Sequence, residues 1–467
     1  MNKKLLITKY LFFDIVAAVI VWVLFMIFRR VINDGQLFSS ISIFVPNYNY
    51  YTNLFLFPVL CVAIHYLSGF YVNPIKESKL IEFFTTFISS AIISFFIFFL
   101  LLLDDVVVNY QNYYYALLVL LFMLFTVTYV FRILQSTNIR NQFKEKKWTV
   151  NTLVVGTGDN AKRIADEITK TSGFNTVVGF IKADFQEKDV NPGQIVGNLA
   201  DVGKVIENLN VKEVIIALDD ASEQRIFNII NKLFQYNIDI QFTPRLYEIL
   251  TGKVRIQKYG LNPLVSVTQP TMPDWELSVK RTLDILISAI SLLILSPLLL
   301  YFYFAIKIDS KGPAIFKQER IGYHGKPFRM LKFRTMHLNA EKGTPKLSSS
   351  NDERITKMGR FLRKYRFDEV PQFVNVIKGD MSIVGPRPER KFYIDQIIQE
   401  APYYCLLYRI RPGLTSWGPI KIGYSDTLDK MIERLNFDIV YMENMNLLTD
   451  IKIILSTLEI IFKGKGV

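Results

Sequence analysis

Two adjacent carboxylates, Asp368 and Glu369, close a run of cations: the thirteen residues RITKMGRFLRKYR (354–366) carry six Lys or Arg and no acid. An adjacent Asp-Glu pair on a surface is commonly an exposed ion pair of little energetic weight. The residues C-terminal to this pair argue for chemistry. Val370, Phe373, Val374 and Ile377 recur at i, i+3, i+4 and i+7, the spacing of a helix with one buried face. Pro371 is tolerated only in the first turn of such a helix. The dyad is therefore expected at a helix N-terminus, where the backbone dipole and the arginines keep both carboxylates ionised and draw in phosphate. An ionised Asp is a competent nucleophile toward phosphorus, and its Glu neighbour can hold Mg2+ through oxygen.

The elements around the dyad support an anionic partner. The formal net charge is +13. Basic clusters recur at KQERIG (317–322), KFRTM (332–336), GRFLRKYR (359–366), GPRPER (385–390) and YRIRPGLT (408–415). Glycines and prolines between them suggest loops converging on one site. The chain has no aromatic stacking pattern or recognised nucleic-acid module, so a phosphate-bearing small molecule or lipid is the expected partner and nucleic acid is not. Two cysteines, Cys61 and Cys405, and three histidines provide neither a disulfide framework nor a thiolate or His-rich metal site.

Half of the residues are hydrophobic. Four apolar runs, 10–28, 54–72, 83–103 and 113–131, each approach the ~20 residues that a bilayer requires. No small-residue cleavage site follows the first, which reads as a retained membrane helix. Lys3, Lys4, Lys9, Lys76, Lys79, Arg132, Arg140, Lys144, Lys146 and Lys147 lie in the tail and loops of one side, against Arg29 and Arg30 on the other. The positive-inside rule puts both ends of this bundle in the cytoplasm. Asp14 and His65 fall within spans, and packing or a helix–helix hydrogen bond is the expected use of each. A fifth apolar run, 285–306, has basic flanks on both sides (Lys280 and Arg281; Lys307, Lys311 and Lys317) and Ser296-Pro297 at its centre. Proline should bend the helix sharply there, with the Ser296 hydroxyl compensating a freed carbonyl. A re-entrant membrane helix, entering and returning to the cytoplasmic face, satisfies both flanks.

Between these regions the composition changes. VNTLVVGTGDNAKRIADEI reads as strand, Gly-rich turn and helix; VKEVIIALDD (211–220), a helix at 222–235 and IDIQFTP continue the alternation. This predicts a Rossmann-like parallel α/β domain. Gly156 and Gly158 fit the G-x-G-x-x-A form of the dinucleotide turn, but no acidic residue ends a next strand at the ribose-binding distance, Asp184 falling late. Packing or regulation by a nucleotide-binding fold is the favoured reading, and redox catalysis is not expected.

From residue 280 onward the chain resembles the bacterial sugar transferases, the monotopic phosphoglycosyl transferases. The resemblance rests on Lys280-Arg281-x-x-Asp284, Ser296-Pro297, Lys332-Phe333-Arg334-Thr335-Met336, Asp368-Glu369-Val370-Pro371-Gln372, Lys378-Gly379-Asp380-Met381-Ser382, Gly385-Pro386-Arg387-Pro388-Glu389 and Arg411-Pro412-Gly413-Leu414-Thr415. It implies a multi-pass protein of the bacterial inner membrane with its catalytic domain on the cytoplasmic face. The layout would be a four-helix transmembrane bundle (1–140), a Rossmann-like domain (149–262) and a mainly helical catalytic domain (275–467) with a re-entrant helix at 283–308. The implied reaction moves a sugar-1-phosphate from a UDP-sugar to undecaprenyl phosphate, releasing UMP. Glucose is the first candidate for the sugar and galactose the second, as an opening step of exopolysaccharide, capsule or O-antigen synthesis. Asp368 would be the nucleophile that carries the phosphosugar and Glu369 the Mg2+ ligand, with Lys332, Arg334, Arg363, Arg387 and Arg411 holding phosphates. Membrane lipid is a further expected partner, and self-association is compatible with the reading. The alternatives are a membrane-anchored nucleotide sensor and a scaffold of a polysaccharide export complex.

Overall fold

The computed structural model describes residues 3–34, 48–72, 79–104, 111–145, 148–171, 175–183, 192–219, 222–236, 238–243, 256–259, 262–268, 271–338, 340, 352–423 and 427–462. Asp184 lies outside them. They form two compact units, Met1–Trp148 with Pro273–Val279, and Thr149–Met272 with Lys280–Val467.

The first unit holds helices α1 (Lys3–Asp34), α2 (Tyr48–Leu67), α3 (Lys79–Asp104) and α4 (Gln111–Lys144). Within these, Lys4–Phe28, Lys79–Leu100 and Tyr114–Phe143 are long and apolar enough to cross a membrane, and Leu54–Leu67 is a shorter apolar stretch. The second span is thus shorter than the run 54–72 suggests. It ends at Leu67, and the chain turns at Gly69 (φ +85°), where an added Cβ would lie 2.5 Å from the Trp275 amide nitrogen. Trp22 and Phe25 of α1, Phe57 of α2, Ile93 of α3 and Leu124 of α4 form the core.

The fourth helix corrects the reading of Arg132. The apolar run stops at residue 131, but α4 continues to Lys144 and Arg132 is fully buried rather than part of a loop. Its guanidinium pairs with Asp14 at 2.6 and 3.1 Å, donates to Thr86 Oγ1 at 3.0 Å and lies 3.8 Å over the Phe70 ring. Tyr71 Oη donates to the same Asp14 carboxylate at 2.5 Å. Burying either charge alone would be costly; the pair and its hydrogen bonds offset that cost. His65 Nδ1 and Ser89 Oγ are hydrogen-bonded at 2.9 Å between α2 and α3.

The second unit contains a seven-stranded sheet of order β3-β2-β1-β4-β5-β7-β6. Its strands are β1 (Val150–Val155), β2 (Asn175–Lys182), β3 (Ile195–Asn198), β4 (Glu213–Ile216), β5 (Asp239–Phe242), β6 (Ile256–Tyr259) and β7 (Asn262–Ser266). The first five are parallel; β7 and β6 add an antiparallel hairpin at one edge. Helices α5 (Asp159–Thr171), α6 (Val202–Asn208) and α7 (Glu223–Leu233) connect the parallel strands. The continuous apolar runs of β1 and β4 follow from burial of both sheet faces.

The remaining elements are α8 (Asp274–Asp309), the hairpin β8 (Ile315–Ile321) and β9 (Pro327–Phe333), α9 (Lys357–Lys364), α10 (Gln372–Lys378), β10 (Ser382–Val384), α11 (Lys391–Glu400), β11 (Gly413–Thr415), α12 (Trp417–Ile422), α13 (Leu428–Glu443) and α14 (Leu447–Phe462). They do not pack apart from the sheet. Cys405, in a 3-10 segment at 402–409, joins the core of Leu233, Phe234 and Ile238, and Asn231 Nδ2 donates to Pro402 O at 2.8 Å.

Helix α8 spans 36 residues with Pro297 inside it. The expected interruption is absent as a gap in the helix. Proline removes the amide that would bond the carbonyl four residues earlier, and Ser296 Oγ donates to that carbonyl, Leu293 O, at 2.7 Å. The anticipated compensation is therefore present. Leu293, Ile294, Leu300 and Tyr301 are exposed, whereas Phe302 and Ile306 pack on Phe333 and Leu362, with Phe367 against them.

Candidate active site

The dyad sits in a 3-10 turn, Phe367–Glu369, entered from Arg366 in the left-handed region (φ 57°). Pro371 is the N-cap of α10, as its position in the pattern requires. The buried face of α10 differs from the predicted one. Ile377 is exposed, while Gln372, Asn375 and Val376 are buried. Asn375 can be buried because its side chain completes a backbone edge: it accepts from Leu331 N and donates to Arg329 O, each at 2.9 Å. Arg281 caps the other end of α10, donating to Val376 O at 2.7 Å and Ile377 O at 3.0 Å. On the same membrane helix, Lys280 binds Asp450 and Val384 O, and Asp284 accepts from Ser382 Oγ and Ile383 N. The motif Lys280-Arg281-x-x-Asp284 thus anchors the base of α8 to the segments carrying the site.

The two carboxylates are unequal. Glu369 Oε1 lies 2.9 Å from Lys332 Nζ and 3.4 Å from Arg387 Nη2, and Oε2 lies 3.6 Å from Arg366 Nη1. Asp368 is 8% exposed, and its carboxylate has no hydrogen bond or ion pair among the described residues. Burial raises the proton affinity of both. For Glu369 the charges of Lys332, Arg387 and Arg366 outweigh burial and hold it well below the usual carboxylate range. For Asp368 burial prevails over Lys332, with Glu369 adding repulsion, and its pKa is pushed up to about 6. The helix dipole and the arginines are expected to keep both carboxylates ionised; the two differ in that burial outweighs the cations at Asp368 and the cations outweigh burial at Glu369. The helix has only seven residues, and Lys332, Arg366 and Arg387 lie against Glu369.

The predicted phosphate-holding residues separate into two groups. Lys332 and Arg387 contact the dyad directly. Arg363 donates to Thr335 Oγ1 at 2.9 Å and acts electrostatically on Asp368. Arg411 donates to Gly379 O at 3.0 Å with its guanidinium 5.2 Å above the Tyr323 ring, so it braces the end of α10. Arg334 is placed elsewhere, buried and bonded to Ser310 O and Oγ at 2.6 and 2.8 Å beyond the end of α8. Sequence reasoning missed Arg366 and the buried acids Glu389 and Asp438. Arg366 was visible in the basic run; nothing local marks Asp438.

The Gly-rich turn at the end of β1 has the backbone its sequence requires. Gly156 has φ +125°, and an added Cβ would lie 2.3 Å from Ala217 O. The amides of Asp159 and Asn160, at the start of α5, donate to the Asp219 carboxylate at 3.0 and 2.8 Å. The positions that would receive a phosphate are thus taken by an anion from the end of the neighbouring strand.

Residues 275–464 match the family described as bacterial sugar transferase, and residues 65–244 match a CoA-binding domain. The chain is 36% identical over 230 residues to UDP-N-acetylgalactosamine-undecaprenyl-phosphate N-acetylgalactosaminephosphotransferase of Aeromonas hydrophila, covering 49% of this chain and 54% of that protein. It is 33% identical over 282 residues to UDP-glucose:undecaprenyl-phosphate glucose-1-phosphate transferase of Escherichia coli (strain K12), covering 59% and 60%. It is 41% identical over 180 residues to the protein of the same name in Caulobacter vibrioides, covering 38% of this chain and 67% of that one. The matched region thus spans 54% and 60% of the first two relatives.

Proposed function

Since this chain belongs to the bacterial sugar transferase family, we propose that it transfers a sugar-1-phosphate from a UDP-sugar to undecaprenyl phosphate by way of Asp368. The observation that carries this reading is the asymmetry of the dyad. Glu369 is compensated by three cations, whereas Asp368 is shielded from water with no protein partner on its carboxylate among the described residues.

An Asp368 oxygen attacks the sugar-linked phosphorus and forms an acyl phosphate; the bond from that phosphorus to the bridging oxygen breaks, and UMP leaves. A phosphate oxygen of undecaprenyl phosphate then attacks the same phosphorus. The carboxylate is released, and undecaprenyl diphosphate sugar is the product. Lys332, Arg366 and Arg387 oppose the charge on the phosphoryl oxygens, and Arg363 adds its field. Mg2+ is bound by one or two carboxylates together with substrate phosphates. Glu369 would supply such an oxygen donor, and no cluster of three His, Cys, Asp or Glu occurs among the described residues. Substrate oxygens and water would complete its shell, and when bound it would neutralise phosphate charge.

Relatives carry N-acetylgalactosamine or glucose in their names. Glucose is the first sugar to test here, with galactose the alternative. From the basic flanks Lys280, Arg281, Lys307 and Lys311 we place both ends of α8 on the cytoplasmic face of a bacterial inner membrane, although its length and composition would also let it cross.

The deciding experiment incubates the purified full chain with single UDP-sugars and Mg2+, without lipid acceptor. UMP should appear up to about one equivalent, leaving a phosphosugar on Asp368. Asp368→Asn, which keeps the shape but removes the anionic oxygen, should abolish both the burst and turnover with lipid. Near-wild-type turnover by folded Asp368→Asn protein would end the covalent reading.

A further inference from the structure

We infer that α13 positions Arg387 through two buried acids, Glu389 and Asp438, making Asp438 a positioning residue for the phosphoryl transfer. This rests on the proposed function. Arg387 is the central residue of Gly385-Pro386-Arg387-Pro388-Glu389, and its guanidinium stands 3.4 Å from Glu369. Its reach is set by its backbone, and proline on either side leaves that backbone few donors. Pro386 and Pro388 have no N–H, so the Arg387 amide is the single donor between Gly385 and Glu389. It donates to Asp438 Oδ2 at 3.4 Å.

The rest of the loop is fixed around that bond. Gly385 N donates to Thr415 O at 3.0 Å, and Gly413 N to Pro386 O at 2.9 Å. A Cβ on Gly385 would lie 2.4 Å from Arg411 O, so this crossing needs glycine. On the far side, Arg320 donates to Pro388 O at 3.0 Å and to Glu389 Oε2 at 3.1 Å, while Arg434 of α13 donates to Glu389 Oε1. Asp438 is 2% exposed, one turn along α13 from Arg434, and its other oxygen accepts from Gly418 N at 3.3 Å.

Apolar side chains could join α13 to this loop with equal stability. They could not receive the Arg387 amide. Two buried acids interleaved with Arg320 and Arg434 set both sides of Arg387, and the guanidinium is thereby aimed at the dyad.

The test is a double-mutant cycle on the full chain, with Asp438→Asn made in wild-type and Arg387→Ala backgrounds. UDP-sugar KM and the UMP burst are measured, and thermal midpoints in detergent monitor folding. Asp438→Asn should raise KM about tenfold in the wild type and less than about twofold beside Arg387→Ala, a coupling that a merely structural acid would not produce. If Asp438→Asn does not accumulate folded, Asp438→Glu, which retains the acceptor on a longer arm, is read in the same cycle. Equal losses in both backgrounds, or no loss in the wild type, overturn this inference alone. A wild-type protein that turns over no UDP-sugar removes the functional reading, and this inference with it.

Discussion

Lys332 Nζ stands 2.9 Å from Glu369 Oε1, and Arg387 and Arg366 close on the same carboxylate, so one acid of the dyad absorbs the nearby charge and leaves the other unbonded. Glu369→Gln should remove the negative charge that Lys332, Arg366 and Arg387 share. Removing one partner of a buried ion pair typically costs about 3–5 kcal/mol. A lowered thermal midpoint, with turnover requiring more Mg2+, is the expected result. Unchanged stability and an unchanged Mg2+ titration would contradict the assignment.

Asp438 gives stability a specific pH dependence. Burial pushes its pKa from 3.8 up to about 6 against the opposing charge of Arg434. The folded protein therefore holds this proton more tightly than the unfolded chain. The resulting stabilisation is complete below about 3.8 and is lost as pH rises through about 6. Between pH 4 and 7, wild type should lose about 2 kcal/mol relative to Asp438→Asn. Parallel stability curves for the two proteins would refute this.

In the first unit, Arg132→Met should destabilise the bundle by about 3–5 kcal/mol, because Asp14 would remain buried without its counterion. Adding Asp14→Leu should recover much of the loss, since an apolar pair needs no compensation. Denaturant titration of the three variants in detergent measures both effects. A single variant within about 1 kcal/mol of wild type would show that the pair is dispensable.

Cysteine replacements at Arg281 and Lys311 test the course of α8. Both should be labelled by an impermeant thiol reagent from the same side of sealed vesicles. Labelling from opposite sides would make α8 an ordinary span and remove the re-entrant reading. Pro297→Leu restores the amide to Leu293 O, and it should shift the helix toward that spanning arrangement.

The Gly-rich turn should not support nicotinamide chemistry, because the Asp159 and Asn160 amides are engaged by Asp219. NAD and NADP should give neither turnover nor a saturable thermal shift with the full chain. Hydride transfer with any substrate would overturn this.

The sequence by itself determined the features carried by local pattern. Long apolar runs marked the helices that could cross a membrane, continuous β-branched runs marked the parallel strands, and Pro371 marked where α10 starts. The ordered motifs identified the family, and Ser296 before Pro297 identified the carbonyl that needed a donor. Tertiary structure decided how shared charges are distributed. Arg132 follows an apolar run and reads as a loop cation until α1 brings Asp14 to 2.6 Å. Asp368 and Glu369 are neighbours with similar chemistry, and their roles are separated by Lys332, thirty-seven positions away on β9, together with Arg387 and Arg366 on the same Glu369 carboxylate. Ile377 and Asn375 exchange their expected places because a strand edge offered Asn375 a donor and an acceptor. Hydrophobic period and turn chemistry act over a few residues and can be read along the chain. Compensation of a buried charge depends on which distant group arrives within a few ångströms, and only the folded arrangement decides that.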